Sequence, residues 1–108
     1  HQLHDNIENA RTVAQEIWRA GAVALCPHLN TAHFGGIVPD DHFLQGDLVL
    51  LSRCDAIYLT TYWSDSTGAR NEREFALAHD IRVLSDQSSF RKWLNVWREQ
   101  HTSKDPYE

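Results

Sequence analysis

Residues 60–76, TTYWSDSTGARNEREFA, hold the densest chemistry of the chain. Hydroxyls at Ser64, Ser66 and Thr67 precede Gly68, which stands at the expected mouth of a helix. Backbone N–H groups at such a mouth, together with hydroxyls, make an anion site; the same residues also serve as plain helix caps. Glu72 lies about one turn inside that helix, where the dipole favours its ionised form. Glu74, two positions on, is rotated away by about 200°. Glu72 shares its face with Ala69, Phe75, Ala76 and His79, whereas Glu74 goes with Arg70, Asn71 and Leu77, a mostly polar side. Only one of the two acids can face the strand ends. Asp55 stands between a helix end and an apolar strand, as a turn residue or as the second carboxylate of a pair with Glu72. Two carboxylates, one a nucleophile and one an acid or positioning group, are the equipment for cleaving a glycosidic bond through an oxocarbenium-like transition state. Tyr62 and Trp63 add flat aromatics that either stack on a base or pack against neighbouring loops.

A second cluster invites a metal. Cys26, His28, His33 and His42 follow one another closely, but the spacing C-x-H-x4-H matches no closed zinc site. No metal and no cofactor is expected. His28 reads as a ligand-contacting or structural residue at a strand end, and Cys54 as a small packed hydrophobe.

Alternating helices and strands must position these residues. Ile7, Ala10, Val13, Ala14, Ile17 and Trp18 recur at helical spacing after an Asp5–Asn6 cap, with Gly21 as a left-handed stop. Ala22-Val23-Ala24-Leu25-Cys26 has no polar alternation and reads as a strand buried on both faces. A long connection, 27–40, holds two histidines, a Gly pair and two prolines; such loops are usually functional or mobile. A helix follows from Asp40 or Asp41 to Cys54, then a strand at 56–59, the hydroxyl-rich loop, and a helix from near Gly68 to about His79. A strand at 81–84 and a helix capped by Ser88 or Ser89 complete the order, the last helix carrying Phe90, Trp93, Leu94 and Trp97. The tail 102–108 is polar and is expected to fray. This α-β-α-β-α-β-α order implies parallel crossovers, with ligands at the carboxyl ends of the strands. The pattern looks like a doubly wound fold whose first strand is missing.

The 108 residues suffice for one domain, 1–108, and are too few for two independent cores. Hydrophobic residues at 42% and charged residues at 23% are ordinary globular composition. No apolar run approaches the ~20 residues of a membrane span. A net charge of −5 argues against a duplex-DNA partner, which would need a basic face. Small phosphorylated ligands remain open, since they need only a few local donors. Two cysteines are too few for a disulfide scaffold, so a reducing cytoplasm is the simpler expectation.

The runs NIENARTVAQEIWRAG, CPHLNTAHF, GDLVLLSRCDAIYL and YWSDSTGARNEREFA together resemble the nucleoside 2-deoxyribosyltransferase-like superfamily. The likeness covers about residues 5–85 and is nearest to a small branch found in bacteria and phages, close to the nucleoside 5′-monophosphate N-glycosidases. PHLNT and W-x-x-S-x-G-A-x-x-E are specific in combination and weak singly. The resemblance implies a flavodoxin-like or Rossmann-like doubly wound parallel sheet in a homodimer or higher homo-oligomer, with sites near the subunit interface. It also implies cleavage of the N-glycosidic bond of a 2′-deoxynucleoside or a nucleoside 5′-monophosphate, by hydrolysis or transfer. Glu72, four residues after Gly68, matches the family's nucleophile, and Asp55 its strand-start aspartate. Ser66 stands where the monophosphate glycosidases bind the 5′-phosphate with a serine. His28 resembles a histidine near the base, and Asn30, Trp63, Ser64 and Gly68 complete the implied substrate contacts.

The family opens with a strand and a loop of the type Y-I-A-G-P-Y, whereas this sequence starts at the first helix. The expectation is a native start that precedes residue 1. The alternative to catalysis is a nucleotide or nucleotide-signal binding protein that keeps the pocket without turnover. A third reading is an interaction protein that assembles through Trp93 and Trp97.

Overall fold

The computed structural model describes residues 2–27 and 34–101, with side chains from residue 8 onward. Helix α1, Gln2–Arg19, runs straight through Asp5 and Asn6, so neither acts as the cap that the sequence suggested. It ends as the sequence dictates. Gly21 adopts φ +90, the Gly21 N–H donates to the Trp18 carbonyl at 3.0 Å, and the Ala22 N–H donates to that of Ile17 at 3.2 Å. These two reverse bonds close a Schellman stop, which a residue with a Cβ enters only under strain.

Ala22–Cys26 departs from expectation. The segment joins no ladder among the described residues. Its burial alternates: Ala22, Ala24 and Cys26 are half-buried, whereas Val23 and Leu25 are 73% and 56% exposed. A strand buried on both faces needs paired neighbours and a helix over each face, and among the described residues no strand pairs with this segment.

Helix α2, Asp40–Leu51, starts after Pro39, with Asp40 and Asp41 in its first turn where the dipole favours negative charge. Turn bonds carry the chain from Ser52 to Cys54. Strand β1, Ala56–Tyr58, and strand β2, Arg82–Leu84, pair in parallel with Ala56 opposite Arg82 and Tyr58 opposite Leu84. The Leu59 N–H extends the ladder to the Leu84 carbonyl at 2.7 Å. Between the strands lies a 3₁₀ turn, Trp63–Asp65, and helix α3, Thr67–Ala78. Helix α4, Gln87–Gln100, is capped by Asp86 rather than by a serine. The Asp86 carboxylate accepts the Ser89 N–H at 2.7 Å and the Ser89 hydroxyl at 3.0 Å, which holds its pKa below the ordinary value.

The two-stranded sheet separates two helical layers. Leu84 packs with Phe90 and Leu94 of α4, and Ile17, Ala20, Ala22, Ala56 and Tyr58 lie against that cluster. Tyr58 meets Phe90 edge-on at 6.5 Å. Arg98 donates to the Ala20 carbonyl and ties the end of α4 to the end of α1. Alternation turns Ile57 and Val83 the other way. There Val83 shares a shallow depression with Ala76 and Leu77 of α3. Helix α3 contacts both strands, and α2 packs on α3. The chain is thus a small mixed α/β domain with a parallel sheet. No described helix is long and apolar enough to cross a membrane.

A candidate acid site between two helices

Glu72 faces inward from α3 and is half-buried. Four residues earlier, Gly68 leaves room beside it. A Cβ built on Gly68 would come within 3.9 Å of Glu72 Oε1 and within 3.4 Å of Leu44 Cδ2 on α2. The carboxylate therefore lies back along α3, toward the helix mouth and under the flank of α2. Burial there, and after it the negative charge of Asp47 on α2, together raise the Glu72 pKa to about 7. The control two residues on behaves differently: the Glu74 side chain is 74% exposed and pairs with Arg73 at 3.3 Å.

Asp47 is the residue that reading the sequence missed. Its partner in charge was sought at Asp55, which sits exposed before the amino end of β1. The charge of Asp55 acts instead on Cys54, whose thiol is pushed above its ordinary pKa by burial and by that carboxylate. Cys54 Sγ donates to the Leu50 carbonyl at 3.3 Å, which suits a packed, unreactive thiol. One signal for Asp47 was present. It shares the i, i+3, i+4 stripe of Leu44 and Leu51, and that stripe is the inward one, since Leu51 is buried and Leu44 reaches toward Gly68.

The Tyr62–Ser66 loop stands at the mouth of α3. Ser66 is the cap: its Oγ accepts the Ala69 N–H at 3.2 Å, which leaves its hydroxyl proton to be donated elsewhere. The Trp63 ring is half-buried with the Arg73 guanidinium 5.4 Å from its centroid, so one route to stacking is already taken by a cation. Tyr62 is 60% exposed. Ser64 is exposed as well. On the same face as Glu72, Phe75 and His79 stack at 4.0 Å. Trp93 lies against the main core, and Trp97 stacks on His101 at 4.3 Å.

A separate cleft of about 230 Å³ opens at the carboxyl ends of the two strands, where parallel sheets commonly hold ligands. Asn9 and Thr12 of α1, with Tyr58, Thr60, Ser85 and Gln87, give it a polar wall. Among the described residues its one carboxylate, Glu16, is engaged by Arg19. Glu72 does not line this cleft, so the acid pair and the strand-end cleft are distinct places. His28 and Asn30, and His33 of the metal cluster, lie outside the described residues. Among the described residues no group of three or more His, Cys, Asp or Glu side chains could hold a metal ion.

A family model described as Domain of unknown function (DUF4406) matches residues 3–85. The span includes α1, Asp47, the Tyr62–Ser66 loop, Glu72 and both strands, and stops before α4. No curated protein and no solved structure matches the chain.

Proposed function

We infer that this chain, which belongs to the family of domains of unknown function DUF4406, cleaves the N-glycosidic bond of a nucleotide. Its nearest chemical kin on this reading are the nucleoside 2-deoxyribosyltransferase-like enzymes, in a flavodoxin-like arrangement. The substrate is a nucleoside 5′-monophosphate or a nucleoside, and the sugar passes to water or to a second base. Glu72 is the nucleophile at C1′ and forms a glycosyl-enzyme. Asp47 takes the role first sought at Asp55, positioning the departing base or handing it a proton.

The observation that carries this is the half-buried Glu72 beside Asp47, across the seam of α2 and α3, with the space left by Gly68 next to it. In this partly dry seam, with a negative neighbour, Glu72 keeps its proton to near neutrality, the range in which acid–base and nucleophilic steps operate. The hydroxyls of Ser64 and Ser66 and the amides at the mouth of α3 supply donors for the 5′-phosphate, worth ~1.5–3 kcal/mol for each charge-assisted bond. Trp63 and Tyr62 border the same mouth and offer apolar surface to the base. Two parallel strands with helices on both faces support the doubly wound reading.

The test is a panel of deoxy- and ribonucleoside 5′-monophosphates incubated with the protein, with free base read by chromatography. Base release that disappears in Glu72→Ala supports the reading and names the substrate. Turnover by Glu72→Ala at the parent rate overturns it.

A further inference from the structure

Arg70 stands two residues before Glu72 and so about 200° round α3 from it. Its guanidinium turns back over the first turn of the helix. Nη1 donates to the Ser64 carbonyl at 2.6 Å, and Nη2 donates to Thr67 Oγ1 at 3.1 Å. The segment it grips contains a strained residue. Tyr62 is held at φ 68, ψ 19, in the left-handed region that a tyrosine rarely occupies. The backbone bonds of this segment are local: Trp63 N–H to the Thr60 carbonyl, Asp65 N–H to that of Tyr62, and Ser66 N–H to that of Trp63, all at 3.0 to 3.1 Å. The Ser66 cap and the Arg70 N–H bond to the Ser66 carbonyl hold the last residue of the loop to the helix, but turn bonds alone do not fix residues 62–65 against it. Arg70 does so directly, and Arg73 over the Trp63 ring adds a second hold.

We propose that Arg70 is a positioning residue: by tying the Ser64 carbonyl to the Thr67 hydroxyl it keeps the strained Tyr62–Ser66 loop seated on the mouth of α3, and so sets how tightly a nucleotide is held without entering the chemistry at Glu72. The role in affinity rests on the nucleotide reading above; the hold on the loop does not. Two of the five N–H donors of Arg70 are engaged by the protein, one from each terminal nitrogen, and these order the groups at the mouth of the helix. The price of leaving Tyr62 in a strained conformation is met by a charged donor on a carbonyl, among the stronger hydrogen bonds available at a surface.

Arg70→Met keeps the stem and removes the donors; Arg70→Lys keeps the charge and one bond. In Arg70→Met, amide exchange at Asp65 and Ser66 should accelerate at least about tenfold, while that of Val83 in β2 stays at the parent rate. The KM for a cleaved nucleoside monophosphate should rise about tenfold, with kcat within about threefold and the pH midpoint unmoved. Arg70→Lys should recover part of both effects. Adding Tyr62→Gly to Arg70→Met should slow the exchange again, because glycine occupies the left-handed region without strain. Unchanged exchange at Asp65 and Ser66 in Arg70→Met overturns the proposal, as does a loss confined to kcat with a shifted pH midpoint. A parent that turns over no nucleotide, with exchange still accelerated in Arg70→Met, overturns the nucleotide reading and upholds the hold on the loop.

Discussion

Helix α3 has two sides, and each carries a glutamate. Glu72 lies under α2, loses most of its water and acquires an acidic neighbour, so its pKa rises to about 7. Glu74 stands in solvent beside Arg73, an exposed pair that contributes little to stability. The residues are chemically identical and two positions apart. What separates them is a second helix, whose inward stripe brings Leu44, Asp47 and Leu51 to the side where Glu72 lies. A titratable group becomes a candidate for chemistry when a neighbouring element takes away its water, and α2 does that to one glutamate and not the other.

The largest test of this contrast is activity. Glu72→Ala should lower base release by at least ~10³-fold, the scale on which loss of a covalent nucleophile acts. Glu74→Ala should stay within about twofold of the parent, as surface substitutions do. Equal losses from both would erase the distinction between the two sides.

Stability against pH sharpens it next. The folded pKa of Glu72, about 7, lies above its unfolded value, so the native state holds its proton more firmly. Native stability therefore falls as pH rises between the unfolded and folded values, and the whole penalty is present above pH 7. Glu72→Gln removes it and should stabilise the protein at pH 8 by on the order of 1 kcal/mol, after allowance for solvent screening of a partly exposed group. The gain should vanish at pH 4, where the parent carboxyl is protonated in both states. Denaturant melts at the two pH values check this, with Glu74→Gln as the flat control.

Asp47→Asn probes the partner. Removing its charge should lower the Glu72 pKa while leaving the larger contribution from burial in place, so the acid limb of the pH–rate profile moves to lower pH. Asp55→Asn should leave that limb where it is. Carboxyl-carbon NMR titration of Glu72 in the two variants measures the difference directly.

The smallest effect is expected at Gly68. Alanine there gains helix propensity of up to about 1 kcal/mol and meets Leu44 and Glu72 only at ordinary contact distance. Gly68→Ala should melt at or slightly above the parent temperature. A branched residue at 68 should disturb Glu72 and Leu44 together, visible as a moved pH midpoint.

Much of the architecture was legible along the chain. The order of helices, the Gly21 stop, strands near 56–59 and 81–84 in a parallel sheet, and the turn of Glu72 away from the polar side of its helix follow from local periodicity and steric rules. The Ala22–Cys26 strand did not follow, since a run of apolar residues records only a tendency to be buried. Whether it joins a ladder depends on a neighbour that the run cannot name. The cap of α4 was misplaced by two or three residues because Asp86 and Ser89 form one reciprocal unit, in which the serine is the donor.

The amino-acid sequence alone determined which side of α3 each glutamate occupies, because 100° per residue is a property of the backbone. It also determined that hydroxyls crowd the mouth of that helix. Only the tertiary structure decided which acid stands beside Glu72. Asp55 is nearer in sequence and precedes a strand, yet it ends exposed, while Asp47 arrives from α2 across a helix–helix seam. The reason is physical: local periodicity sets the direction of a side chain, whereas desolvation and charge coupling depend on what another element brings to the same place.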